Sequence, residues 1–136
     1  MTRFGNKFRQ RAGAVVALAA AASLAGSVPA HAEGSRTSYI KGWKFDQESS
    51  RWHDSHRDSN ATKVQFKGCS SDQSSGFKAN LSLYRAKSLA PDPSYGKKLN
   101  TCNTSNWGTM RTAGDYYFKY HGVGYVISVD KVKVSW

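Results

Sequence analysis

The sequence is poor in the patterns from which many small enzymes are built. It has no G-x-S-x-G, no H-E-x-x-H and no glycine-rich phosphate loop, so serine-nucleophile, zinc-protease and nucleotide-phosphate chemistry lack a motif. Acids are scarce, 9 against 20 lysines and arginines. The only cysteines are Cys69 and Cys102, with no C-x-x-C spacing and no adjacent helix start, which leaves a reactive or metal-bound thiol pair unsupported. Beyond residue 32 there is no helical periodicity, no internal repeat and no apolar run long enough to cross a membrane. With no cysteine for lipidation at the expected cleavage point and no sorting tail, a released or non-covalently held chain without a transmembrane anchor is expected.

The first residues differ from the rest. MTRFGNKFRQRAG is basic without an acid, AVVALAAAASLAGSV is apolar and small, and Ala30-His31-Ala32 offers a small-x-small cleavage site. These are the three parts of a secretory signal peptide, expected over residues 1–32, and Pro29 argues against an uncleaved anchor helix. Its removal leaves residues 33–136, 104 residues in one domain. That part carries 16 basic and 9 acidic residues, a net +7, which suits an acidic partner or simply keeps a secreted protein soluble. In an oxidising extracellular compartment Cys69 and Cys102 are expected to form one disulfide, stabilising the fold by about 3 to 4 kcal/mol in the chain-entropy account.

Apolar residues alternate along the secreted part. Val64 and Phe66 oppose Lys63, Gln65 and Lys67; Phe77, Ala79, Leu81 and Leu83 oppose Lys78, Asn80, Ser82 and Tyr84; Tyr116, Phe118 and Tyr120 oppose Tyr117, Lys119 and His121. Period two marks half-buried antiparallel strands. In YVISVDKVKVSW the apolar set moves from odd positions (Tyr125, Ile127, Val129) to even ones (Val132, Val134, Trp136), so a bulge or tight turn is expected at Asp130-Lys131. SYIKGWKF reads as a weaker strand, and SSDQSS, APDPSYG and NTSNWG as loops. Several short strands in about a hundred residues predict two packed sheets, an all-β antiparallel sandwich.

RWHDSHRD, Arg51 to Asp58, gathers two histidines and two aspartates. If the segment is extended, Trp52, Asp54, His56 and Asp58 point one way and His53 the other, which separates the imidazoles. A polar turn is the expected reading, with Trp52 packed beneath it and Asp54 or Asp58 accepting backbone N–H bonds; a cation held by Asp54 and Asp58 is the alternative. A basic nuclease would draw on Glu48, Arg51, His53, His56, Arg57 and His121, but their spacing matches no nuclease motif.

TAGDYYFKYHGVGYVISV resembles the closing hairpin of bacterial pre-peptidase C-terminal domains, an AG-x-YY turn and strand followed by G-x-Y-x-L-x-V. ANLSLYRA is similar to that family's D-L-D-L-Y-L strand, although Asn80 and Ser82 stand where aspartates are usual, so no calcium site is carried over. The chain as a whole also resembles small exported actinobacterial proteins of unassigned activity, to which the Cys69 and Cys102 pair fits better. These resemblances imply a jelly-roll-like sandwich that serves as an accessory binding module with no catalysis of its own.

Candidate binding residues are aromatics and cations placed in loops. Trp107, in the loop after Cys102, and Tyr95, in the proline-flanked loop, offer rings that stack on a sugar, with Lys97, Lys98 and Arg111 close by for anionic groups; capping the ends of the core is their alternative role. Lys119, Lys131 and Lys133 read as protection of an edge strand. The expected protein is a secreted, monomeric, non-catalytic binder of extracellular polysaccharide, cell-wall polymer or another acidic surface. No cofactor, metal or nucleic-acid partner is expected. A secreted toxin acting on a competitor's envelope and a basic secreted nuclease are the alternatives.

Overall fold

Among the described residues, pairing of the alternating segments produces eight strands: β1 (Ser35–Trp43), β2 (Trp52–Asp54), β3 (Ala61–Ser71), β4 (Ala79–Arg85), β5 (Ser94–Asn100), β6 (Thr104–Thr109), β7 (Gly114–Tyr120) and β8 (Ile127–Ser135). The computed structural model describes residues 33–122 and 125–136. The expected signal peptide, residues 1–32, lies outside the described residues. Among the described residues no helix is long and apolar enough to cross a membrane.

The strands form two four-stranded antiparallel sheets, sheet A in the order β1-β8-β3-β6 and sheet B in the order β2-β7-β4-β5. First pairs with last, second with seventh, third with sixth and fourth with fifth, alternately in one sheet and the other. A long antiparallel ribbon rolled around its own core gives this order, the jelly roll.

Most inward positions are those the alternation assigns, although Tyr125 is exposed and Ser82 and Tyr117, assigned outward, are buried as well. Val64, Phe66, Ala79, Leu81, Leu83, Tyr116, Phe118, Tyr120, Ile127, Val129, Val132 and Val134 are all buried, each of the larger ones contributing about 1.5–3 kcal/mol of hydrophobic stabilisation. Tyr116 also donates its hydroxyl to the carbonyl of Thr112, tying the chain entering β7 to its own strand as a tyrosine corner does. At the two ends of the fold, Gly34 and Trp136 exchange backbone hydrogen bonds of 2.9 and 3.0 Å.

The phase slip in β8 falls at Asp130 and Lys131, both exposed between buried Val129 and Val132. It is matched on β3 at Gly68, whose φ is +66°, and on β1 by a register shift between Ser38 and Ile40. A side chain on Gly68 would bring its Cβ within 2.8 Å of the Cβ of Asp130, so both the conformation and the space call for glycine there. One irregularity thus crosses three adjacent strands and keeps apolar residues inward on both sides of it.

The disulfide joins Cys69 of β3 to Cys102 in the β5–β6 turn, across a Cα separation of 5.8 Å. Buried Asn100 organises that turn: its side-chain oxygen accepts from the amides of Cys102 and Asn103 at 3.0 and 3.2 Å, and its nitrogen donates to Ser105 Oγ at 3.1 Å.

Four sequence expectations are corrected. APDPSYG and NTSNWG are not wholly loops, because Ser94–Gly96 opens β5 and Thr104–Gly108 lies in β6. Both are edge strands, and their exposed polar residues hide the period that marks interior strands. Third, the segment from Thr112 to Val129 is not a hairpin: β7 pairs in sheet B and β8 in sheet A, so the chain crosses between layers. Finally, Lys119, Lys131 and Lys133 do not guard an edge, since β7 and β8 each have a neighbour on both sides.

Candidate functional site

The Arg51–Asp58 segment is the short strand β2 followed by a polar turn whose acids are engaged with backbone. Trp52 and Asp54 face inward and His53 outward. Trp52 packs against Trp136 with ring centroids 5.9 Å apart. Asp54 accepts from the amide of His56 at 2.8 Å and Asp58 from that of Asn60 at 2.8 Å. Glu33 closes the turn from outside, accepting from the amides of Ser55 at 2.7 Å and Arg57 at 3.0 Å. The Arg57 amide leads the contacts that hold the Glu33 carboxyl below the usual range, whereas burial, aided by the charges of Glu33 and Asp58, raises that of Asp54. His53 leaves the turn to pair with Asp115 at 2.8 Å, and His56, at φ +53°, is exposed. Among the described residues no three His, Cys, Asp or Glu side chains converge on a metal position.

The expected binding residues are not gathered into one site. Tyr95 and Trp107 are half-buried against the core at the open β5–β6 edge. The Tyr95 ring lies 5.6 Å from that of Tyr116, and its hydroxyl accepts from Arg85 Nε at 3.2 Å. Trp107 Nε1 donates to the carbonyl of Gly96 at 3.0 Å, bridging β6 of one sheet to β5 of the other. The two rings therefore close the edge of the sandwich. Lys97 pairs with outward Ser82 while Lys98 pairs with inward Leu81, so the two lysines leave β5 on opposite sides. Arg111 is exposed in the β6–β7 loop.

A different group is assembled on the outer face of sheet B. The β4–β7 register sets Tyr84 opposite Tyr117 and Ser82 opposite Lys119, and the two tyrosine rings stack at 5.5 Å with an 18° interplanar angle. His121 continues the row: its ring centroid is 6.3 Å from that of Tyr84, and its Nε2 lies 3.3 Å from the Tyr84 hydroxyl. Phe45, 56% exposed, follows at 6.3 Å from His121. The strap carrying Phe45 is held along β7 by bonds from the Asp46 amide to Tyr120 O at 2.9 Å and from the Ser49 amide to Phe118 O at 2.8 Å. Four rings, Phe45, His121, Tyr84 and Tyr117, thus form a ladder across the face, exposed at Phe45 and buried at Tyr117.

Cations flank the ladder. Lys119 Nζ lies 5.5 Å from the centre of the Tyr84 ring and 3.9 Å from Asp46, and the Arg51 guanidinium lies 5.3 Å from the Tyr117 ring. These are cation–π distances. The Tyr117 hydroxyl donates to Asp92 at 2.5 Å. That bond lowers the Asp92 carboxyl, while burial and the same carboxylate push the Tyr117 hydroxyl far up. Burial, with the charge of Lys97, lowers the His121 imidazole, favouring its neutral form. Beyond His121 the face opens into a shallow hollow of about 220 Å³ lined by Lys78, Asn80, Leu99 and Tyr125 among others. Alternation already placed Tyr84, Tyr117, Lys119 and His121 outward; the register that brings Tyr84 beside Tyr117, and the strap that adds Phe45, left no local signal.

No protein-family model matches the sequence, and no curated protein or solved structure matches it.

Proposed function

We propose that this is a secreted, non-catalytic module that binds polysaccharide or cell-wall polymer through the outer face of sheet B. The ring ladder carries the reading: Phe45 is exposed, His121 and Tyr84 are half-buried, and buried Tyr117 supports the row from beneath. Aromatic faces receive the apolar faces of sugar rings, and Lys97 and Lys119 beside them suit acidic substituents. Such an arrangement binds an extended chain along a rigid sheet and needs no closed pocket.

The dispersal of the imidazoles speaks for binding over nuclease chemistry. His53 is fixed beside Asp115, and from Asp115 to His121 is six residues of extended chain, about 20 Å. A pair of histidines sharing proton transfer must reach one substrate atom within hydrogen-bond distance.

Co-sedimentation with insoluble polysaccharides and purified cell walls tests the proposal. Retention is expected to persist at high salt, because stacking is not screened as exposed charge is. Phe45→Ala is expected to weaken it about tenfold, corresponding to about 1.4 kcal/mol for one lost aromatic contact. Retention at low salt alone, or unchanged retention of Phe45→Ala, would overturn the assignment to this face. Degradation of RNA that disappears in His121→Ala would replace binding with catalysis.

A further inference from the structure

The outer face of sheet A is built quite differently. Its pairs run Lys63 opposite Ser135, Gln65 opposite Lys133 and Lys67 opposite Lys131, with Asn106 and Thr104 of β6 beyond Lys63 and Gln65, and Ser35 and Thr37 of β1 beyond Ser135 and Lys133. Four lysines therefore share a flat field of hydroxyl and amide side chains. Lys63, Gln65, Thr104, Lys133 and Ser135 line a hollow of about 250 Å³ on it. The ion pairs among the described residues are His53–Asp115 and Lys119–Asp46, so none of these four lysines is paired. Asp130, at the bulge against Gly68, is the acid that borders the field.

Like charges directly opposite one another on neighbouring strands destabilise a sheet. Lys67 and Lys131 are such a pair, and both strands lie in the interior of the sheet. Folding alone disfavours this arrangement, whereas a polyanion lying across it removes the repulsion. We infer that the outer face of sheet A docks a linear polyol-phosphodiester polymer of the cell wall.

The side chains favour that occupant. Lysine ammonium groups bind phosphate as point charges, and lysine is the cation of the field just described. Lys131 and Lys133 are alternate residues on one strand, about 7 Å apart, and Lys63 and Lys67 span about 13 Å on the next. That series follows a chain of repeating charges, and the serine, threonine and glutamine groups between suit its hydroxyls. Bases of a single-stranded nucleic acid would need successive aromatic platforms, and Tyr39, 72% exposed on β1, is a single ring at the margin.

The surface is separate from the ring ladder, and its test reads separately. Immobilised poly(glycerol phosphate), polygalacturonate and a single-stranded oligonucleotide are compared between 50 and 200 mM salt. Binding to poly(glycerol phosphate) is expected to weaken about 50-fold over that range, the response of about four phosphate contacts. Replacing Lys63, Lys67, Lys131 and Lys133 together by glutamine is expected to abolish that salt response while leaving retention on neutral polysaccharide intact. Lys131→Glu gives a second reading, because it sets opposite charges across from each other: the urea midpoint is expected to rise while binding falls. Equal or tighter binding of polygalacturonate or the oligonucleotide would overturn the choice of polymer. An unchanged salt response in the quadruple variant, or undiminished binding by Lys131→Glu, would overturn the surface itself.

Discussion

The two outer faces of this sandwich handle charge in opposite ways. On sheet B, Lys119 lies over the Tyr84 ring and beside Asp46, and Arg51 lies over Tyr117, which bonds to Asp92. On sheet A, Lys67 faces Lys131 with no ion-pair partner for either among the described residues. The same alternation of inward and outward residues produced both faces, so patterning alone does not decide what a face is for. What surrounds each outward cation does. A cation resting on a ring is already partly compensated, whereas cations facing one another keep their field available to a ligand.

The comparison can be stressed by loosening what holds the layers together. Removing the disulfide with Cys69→Ala and Cys102→Ala is expected to cost about 3 kcal/mol, read as a lower urea midpoint. Below that midpoint both faces should still bind, because each is carried by its own sheet. Loss of binding by one face in a folded variant would show that the bridge positions that face.

Bulge glycines give a finer contrast. Gly68 of sheet A and Gly96 of sheet B have φ of +66° and +98°, but only at Gly68 does a side chain meet a neighbour, Asp130. Gly68→Ala is expected to cost about 2 to 3 kcal/mol, from strain and overlap together, and Gly96→Ala about 1 kcal/mol from backbone strain alone. Equal losses on denaturation would mean that the bulge across β1, β8 and β3 is softer than its geometry implies.

The smallest effect concerns pH. His121 has its proton affinity lowered in the fold from an ordinary value of 6.5, so the unfolded chain takes up the proton first as pH falls. Its contribution to stability is present above pH 6.5 and is lost as pH drops through the folded value. His121→Gln is expected to flatten the fall in urea midpoint between pH 7.5 and 5.5. The sheet A field contains no histidine, so its quadruple glutamine variant should keep the wild-type pH profile.

Much of the core was legible in the residues. Val64, Phe66, Leu81, Leu83, Tyr116 and Phe118 could be read because each lies on an interior strand with its apolar side chain turned into the core. The slip at Asp130–Lys131 could be read because a one-residue shift reverses every side chain after it. The turn at Asp54 could be read because aspartate bonds to its own backbone two residues on. Less legible were β5 and β6, whose edge positions permit polar residues on both sides. The ring ladder and the lysine field were hidden for a different reason. Both arise from registers joining residues distant in sequence, Tyr84 with Tyr117 and Lys67 with Lys131, and no local pattern records them. Trp107 and Tyr95 read as loop residues because they sit amid Gly, Pro and Asn; they lie instead in β6 and β5, half-buried on the sandwich edge.

The reciprocal bonds between Gly34 and Trp136 also have a mechanical meaning. Tension drawn between these two residues would act across the first rung of the β1–β8 ladder and part the strands one rung at a time, as a zip opens, instead of shearing many rungs together. Pulled in that direction the domain yields at low force, whereas a load passed from one outer face to the other bypasses the seam.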